Sequence, residues 1–576
     1  MSYNEVKKII ITLLLMILLS GITNAGESPA GKEIKPNITP GEAINRSSIP
    51  ETDIAPGVKG RVFWGKSTLI NWMTINPDVA VRVESRQGDC VLFIRKGTVS
   101  LRVNGSYITL EENECIYVAQ GSENFLKAGK KGAEVLDIYW SDVKESMRYT
   151  EPSFPYGTVI GYYEPQFCQP AKNLSARIIQ GKNGQMCFAR FAPDADLLHE
   201  NHPEEQFMII TRGWFEKNSN GKTVRIKPDD ILYLTGDIRM EGKTGPKGCN
   251  AIIINSPSRP DYTRAMKERL DTYHTIIPPD AQPMLLIDGS REKPNLTFTE
   301  GPSWMNGRLY FSNYYKFWKP WGSSDEGGVW VIEPDGTHRI LNKDVQTCGT
   351  TPLPNGNLAV CDLLTIRVAE MTPDGNIFRT IVDSYNGKPL GVANDLITDR
   401  KGGLYITDAA VRKDGDAQPG TALYYFNSTG KLIRVTEWNE VDFINGVVLS
   451  PDDKILFLNG SREINVWMFD VGEDGILSNK RPFAELYVPD NQLDREKPSS
   501  IADGMTIDSQ CNVYVATALG IQVFDRTGRF IGIINFPKSP SNCIFGGDDL
   551  TILYATCRDQ IYSIRTKTQG NQYPIR

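Results

Sequence analysis

Asn355-Gly356-Asn357-Leu358-Ala359 and Lys401-Gly402-Gly403-Leu404-Tyr405 share one form, a tight polar turn running into an apolar strand. It recurs upstream at Asn306-Gly307-Arg308-Leu309-Tyr310. Downstream it recurs at Asp452-Asp453-Lys454-Ile455-Leu456, Gln510-Cys511-Asn512-Val513-Tyr514 and Asp549-Leu550-Thr551-Ile552-Leu553. Such turns beside alternating apolar positions signal β-hairpins. A second turn lies between most of them, at Pro334-Asp335-Gly336, Pro373-Asp374-Gly375, Ser428-Thr429-Gly430, Glu473-Asp474-Gly475 and Arg526-Thr527-Gly528. Two hairpins per unit make four strands, and six units predict a six-bladed β-propeller over 287–576.

Innermost strands surround a propeller's channel, so one register position per blade faces one place. Seven residues before each turn stand Glu300, Cys348, Asn394, Asn445, Asp503 and Asn542. Five of these six carry short oxygen-bearing side chains. A single Asn or Asp before a strand ordinarily bonds its own backbone. Five at one register point to a shared role. Two carboxylates with amide oxygens suit a hard cation such as Ca²⁺ or Mg²⁺. With four His in 576 residues, a three-His site in each half is excluded by counting.

The same segments resemble the senescence-marker-protein/gluconolactonase family. They are Phe298-Thr299-Glu300-Gly301-Pro302-Ser303-Trp304, Asn394-Asp395-Leu396, Asn445-Gly446-Val447-Val448-Leu449-Ser450-Pro451-Asp452, Asp503-Gly504-Met505 and Asn542-Cys543-Ile544-Phe545-Gly546-Gly547. The resemblance implies an enzyme acting on carboxylic ester bonds, a metal-dependent hydrolase that opens a sugar lactone or related small ester. It implies Glu300, Asn445 and Asp503 as metal ligands, with Asn394 touching substrate or metal. Asn542 is a weaker match, and Cys348 fits no ligand role. The implied cofactor is a divalent metal, Ca²⁺ first, with Mg²⁺, Mn²⁺ and Zn²⁺ as alternatives. A carboxylate must take the proton of the attacking water, and the resemblance assigns that role to Asp503. No Gly-x-Ser-x-Gly elbow occurs, and no His stands at the ring. Two alternatives remain: an esterase or organophosphate hydrolase on the same ring, and a carbohydrate-binding or sensing protein without turnover. The aromatic segment 314–326 reads either as a lid over a sugar ring or as packing between the two halves.

The first half repeats itself once. Lys96-Gly97, Asn104-Gly105 and Glu114-Cys115-Ile116-Tyr117 recur, all displaced by 116 residues, as Arg212-Gly213, Asn220-Gly221 and Asp230-Ile231-Leu232-Tyr233. Two copies of one all-β unit are expected, at about 59–150 and 165–256. The stretch from His199 to Gly213 resembles the first cupin motif, which makes the pair tandem cupin-like β-barrels. Counting back from Gly213 puts Gln206, His202 and Glu200 at ligand places, and Met240 at that of the second motif's His. Arg86 and Cys90 stand at the equivalent places of the first copy. His202 is the one residue there retained as a possible ligand, and it opens a further reading with the chemistry in the second barrel.

Lys7-Lys8, the apolar run Ile9–Leu19 and the small residues Thr23 and Ala25 read as a signal peptide over 1–25. Export to periplasm or exterior follows as an expectation, with no integral membrane segment in the mature chain. Residues 26–58 read as an irregular lead-in and 257–286 as a linker holding a helix near Thr263–Tyr273. The ten Cys are scattered, mostly as buried apolar residues, with one or two pairs open to bridging. A net charge of −6 makes nucleic acid a poor partner and leaves a small molecule as the expected one.

Overall fold

A computed structural model describes residues 35–571 except 84–87, 104–105, 119–123, 142–150, 200–201, 220–221, 237, 239, 294, 314–326 and 410–417. The signal-peptide reading, both Asn-Gly hairpins of the first half, Arg86, Glu200, the side chain of Met240 and the aromatic segment 314–326 lie outside the described residues. Among the described residues the chain is all-β apart from short 3-10 turns and a helix at Pro260–Tyr273, and it divides into two compact units at Arg269/Leu270. No helix of the described residues is long and apolar enough to cross a membrane.

The first unit holds two nine-stranded sheets that repeat each other in register. Leu69 pairs with Tyr139, and Tyr139 with Cys90; Gln185 pairs with Asn255, and Asn255 with Gln206, all 116 residues on. Even the bulges coincide, at Ile94/Lys96 and Ile210/Arg212. The segment read as an irregular lead-in carries two strands, Ala43–Asn45 and Thr52–Ala55. Ala43–Asn45 pairs not with the copy it precedes but with Asp230–Leu232 of the other. Val159–Ile160, its equivalent, pairs with Cys115–Ile116 of the first copy. The copies thus exchange edge strands, which covers edges otherwise open to further pairing. Alternate residues from both sheets form one core, where Phe63 meets Phe207 at 5.7 Å and Phe93 meets Phe188 at 5.3 Å.

The second unit is the expected six-bladed propeller. Five four-stranded blades follow in order, and their innermost strands are Thr299–Met305, Thr347–Pro352, Ala393–Thr398, Ile444–Leu449 and Met505–Ile507. The sixth starts at Asn542–Gly546 and takes its outermost strand, Met284–Asp288, from the opposite end of the unit, paired with Gln560–Arg565. That pairing closes the ring. The propeller therefore begins inside the segment read as linker, because closure requires a strand from before the first blade. Ile276 and Ile277 of the same segment are buried against Tyr514, Ile564 and their neighbours.

Candidate active site

In blades one to four the innermost strand bulges opposite the last residues of the second strand. The pairing slips between Glu300 and Ser303, Thr347 and Thr350, Ala393 and Leu396, and Ile444 and Val447. A bulge bends a strand and re-aims its side chains. Here it turns one residue per blade into the channel mouth. Glu300, Cys348, Asn394, Asn445 and Asp503 line one cavity of about 340 Å³. Asn542 does not. It lines a second cavity of about 480 Å³, and its Nδ2 donates back to Glu300 Oε2 at 3.4 Å. Asn542 is placed behind Glu300, as a support for that carboxylate.

The two carboxylates are held by a fixed frame. Asn445 Nδ2 donates to Asp503 Oδ1 at 2.8 Å and to Ser461 Oγ at 2.9 Å, and Ser461 Oγ donates to the Ala502 carbonyl at 2.6 Å. With its amide protons so committed, Asn445 has its carbonyl oxygen as the group left for a cation. Asn459, fully buried, donates to the Asp503 carbonyl at 2.8 Å and accepts from the Gly446 N–H at 3.2 Å. A Cβ at Gly446 would stand 2.4 Å from the Asp503 carbonyl oxygen, and one at Gly504 would stand 1.9 Å from Asn542. Neighbouring blades therefore approach through these glycines, which is why Gly follows Asn445 and Asp503.

Burial and the Asp503 charge push the Glu300 carboxyl well up, while the Gly301 N–H and Asn542 oppose the shift. Burial likewise raises Asp503 to about 6, against the opposing pull of Asn445 and the Arg558 charge. Two like charges confined together resist joint ionisation, and a divalent cation relieves that conflict directly. The donor set, two carboxylates and an amide oxygen, fits a hard ion. Cys348 does not join it: its thiol donates to the Asn394 carbonyl at 3.1 Å, and burial raises its pKa well above the ordinary value. Asn394, half-buried, stands at the cavity wall.

His202 presents a different picture. Its Nδ1 lies 3.3 Å from Glu204 Oε2, and Gln206 Oε1 accepts from Arg259 Nη1 at 3.4 Å. Among the described residues no group of three or more His, Cys, Asp or Glu stands at metal-ligating spacing, in either unit. All ten Cys are free thiols, nine of them buried, so the bridges left open by the sequence are not formed. Asn459 and Ser461 carry no charge and lie on or after second strands, so the ring count passes over them.

A six-bladed propeller with one buried and one half-buried carboxylate and an amide at one channel mouth defines a class of small-molecule site. Residues 298–558 match the SMP-30/Gluconolactonase/LRE-like region. A gluconolactonase from Zymomonas mobilis is 27% identical over 300 residues, covering 48% of this chain and 80% of that protein. A regucalcin from Oryctolagus cuniculus is 32% identical over 125 residues, which is 21% of this chain and 39% of that protein. A cupin 2 conserved barrel domain protein from Leptotrichia buccalis is 13% identical over 39% of this chain and 100% of that one, with a TM-score of 0.29.

Proposed function

We propose that the propeller is a metal-dependent lactonase that opens a sugar lactone to its hydroxy acid, in a chain exported through its N-terminal segment. The observation that carries this reading is the Glu300–Asp503 pair, which together with Asn445 lines a cavity of substrate size. Glu300, Asn445 and Asp503 would hold the ion, Ca²⁺ by the hardness of these donors. A cation bound there supplies Lewis-acid polarisation of the lactone carbonyl and offsets charge developing on its oxygen. Asp503 takes the proton of the attacking water as the new C–O bond forms. The ring C–O bond then breaks, and its alkoxide oxygen takes the proton from Asp503, giving the hydroxyl of the product and restoring the carboxylate. Glu300 stays anionic throughout, and Asn394 orients the ring hydroxyls. Asn445 and Asn459 hold the Asp503 carboxylate and its backbone in place.

The test is acid release from a panel of aldonolactones, followed by pH-stat with the spontaneous rate subtracted. Activity should vanish with chelator and return with added Ca²⁺. Hydrolysis unaffected by chelator and retained in Asp503→Ala would sink the reading. Loss of the same activity in His202→Ala would move the chemistry to the first unit.

A further inference from the structure

Two residues before the ring positions stand Phe298, Gln346, Val392, Phe443, Ile501 and Pro540. Five of these six are apolar and line the same cavity as the ring, while Gln346 is fully buried and does not line it. Ala409 and Ala518, which follow the second strands Leu404–Asp408 and Val513–Thr517, line it as well. The ring thus carries an apolar collar, to which five blades give one residue each. Two of its members, Phe443 and Ile501, have positive φ, 54° and 51°. Aromatic and β-branched residues persist in that region only where the surroundings impose it, and such strain gathers at ligand sites. Ile501 is also 43% exposed, presented at the mouth rather than packed away.

The polar groups of the same wall are committed elsewhere. Among the described lining residues the hydroxyls are those of Ser461, Ser499 and Ser539. Each donates its proton to a backbone carbonyl: that of Ala502 at 2.6 Å, of Ser461 at 2.6 Å and of Ala518 at 3.4 Å. Arg462 lies over Phe443 at 4.9 Å and stands 3.9 Å from Asp442. Arg558 lies over Phe298 at 5.0 Å, and its charge acts on Asp503. A hydroxyl taken out of water needs a partner of its own. A substrate ring bearing several finds the Asn394 amide and little else on this wall. An alkyl chain needs no partner and gains by leaving water.

Resting on the lactonase reading, we propose a further activity of the same site: it opens lactones that carry an alkyl chain, with the ester at Glu300, Asn445 and Asp503 and the chain against the collar. The bond changes are those already given. The oxygen of water joins the carbonyl carbon, the ring C–O bond breaks, and the proton of water ends on the ring oxygen. Phe298, Val392, Phe443, Ile501 and Pro540 are then specificity residues: they choose the substrate by its apolar substituent and take no part in the proton transfer.

The test uses the full chain with Ca²⁺ on δ-valerolactone, which has no side chain, δ-octalactone with a propyl and δ-decalactone with a pentyl group. The kcat/KM should rise along the series and reach about tenfold or more between its ends. Ile501→Asn and Phe443→Asn should each shrink that ratio, and the double variant should bring it close to one. Asn accepts positive φ more readily than the residues it replaces, so the variants should fold, which circular dichroism checks. A flat series, or a ratio unchanged in the double variant, overturns the proposal. So does hydrolysis of D-glucono-δ-lactone with none of the alkyl series, an outcome that leaves the lactonase reading standing. If no lactone turns over, the lactonase reading falls, and calorimetric binding of decanoate against pentanoate still decides what the collar prefers. Decanoate bound about tenfold tighter, with the difference lost in the double variant, supports the apolar preference; equal binding overturns it.

Discussion

In the proposed mechanism Asp503 carries two duties, ligand and proton acceptor, and its surroundings suit both. Its carboxyl is raised to about 6 by burial while Asn445 and Arg558 favour the ionised form. Asp503→Asn keeps the shape and removes the charge, so it should lower kcat about 10³-fold or more in the pH-stat assay. Asn459→Ala touches no substrate yet frees the Asp503 carbonyl; it should weaken Ca²⁺ binding and lower kcat together, with the global fold retained by circular dichroism. A third prediction concerns Asp408, which is fully buried and accepts the N–H groups of Gly391 at 2.8 Å and Val392 at 2.6 Å. Burial pushes its carboxyl up to about 6, against roughly 3.9 when unfolded. The native state then holds more protons than the unfolded one between about pH 4 and 6. Its favourable contribution is full below that window and is lost as pH rises through about 6, by about 3 kcal/mol in total. Denaturant melts at pH 4.5 and 7 should show a smaller difference in Asp408→Asn than in wild type.

The bulged innermost strand is the element that turns a repeat into a site. Counting seven residues back from each turn reached Glu300, Asn394 and Asn445 because those hairpins keep one length from turn to bulge, and Asp503, just before its unbulged strand, at the same spacing. The count fails at Asn542, which starts its strand directly: Asn542 pairs with Thr556, and the ladder runs without slippage to Gly546. Its side chain therefore turns to the neighbouring cavity. Ser461 and Asn459 were not legible, since a hydroxyl and an amide on second strands carry no period that marks them. The glycines were visible as residues but not as contacts. Gly446→Ala should cost about 2 kcal/mol or more, because the added methyl meets the Asp503 carbonyl at 2.4 Å. The same variant should lose lactonase activity even where it remains folded, a result that thermal melting and the pH-stat read separately.

At the scale of the molecule, the propeller is a ring closed by a strand from before its first blade. Met284-Leu285-Leu286-Ile287-Asp288 looked like the end of a linker because neither its length nor its pattern separates it from connecting chain. Only closure gives it meaning. A chain beginning at 275 keeps Ile276, Ile277 and that strand, and should melt cooperatively; one beginning at 289 leaves Gln560–Arg565 with an open edge and should aggregate. Six blades and a duplicated first unit were legible because both are repeats, and turn chemistry marks repeats strongly. The exchange of Ala43–Asn45 and Val159–Ile160 between the two copies was not, because strand partners lie far apart in sequence and leave no local trace.

In the proposed site Glu300, Asn445 and Asp503 hold one divalent cation. Calorimetric titration of Ca²⁺ into metal-free protein, in buffers of different ionisation enthalpy near pH 5.5, tests it most directly. One ion per propeller should bind with net proton release, as a carboxyl raised by its neighbour ionises. Binding should be lost in Glu300→Gln and Asp503→Asn and kept in His202→Ala. Binding that survives both ring substitutions, or that disappears with His202, would rule out this ring as the cation site.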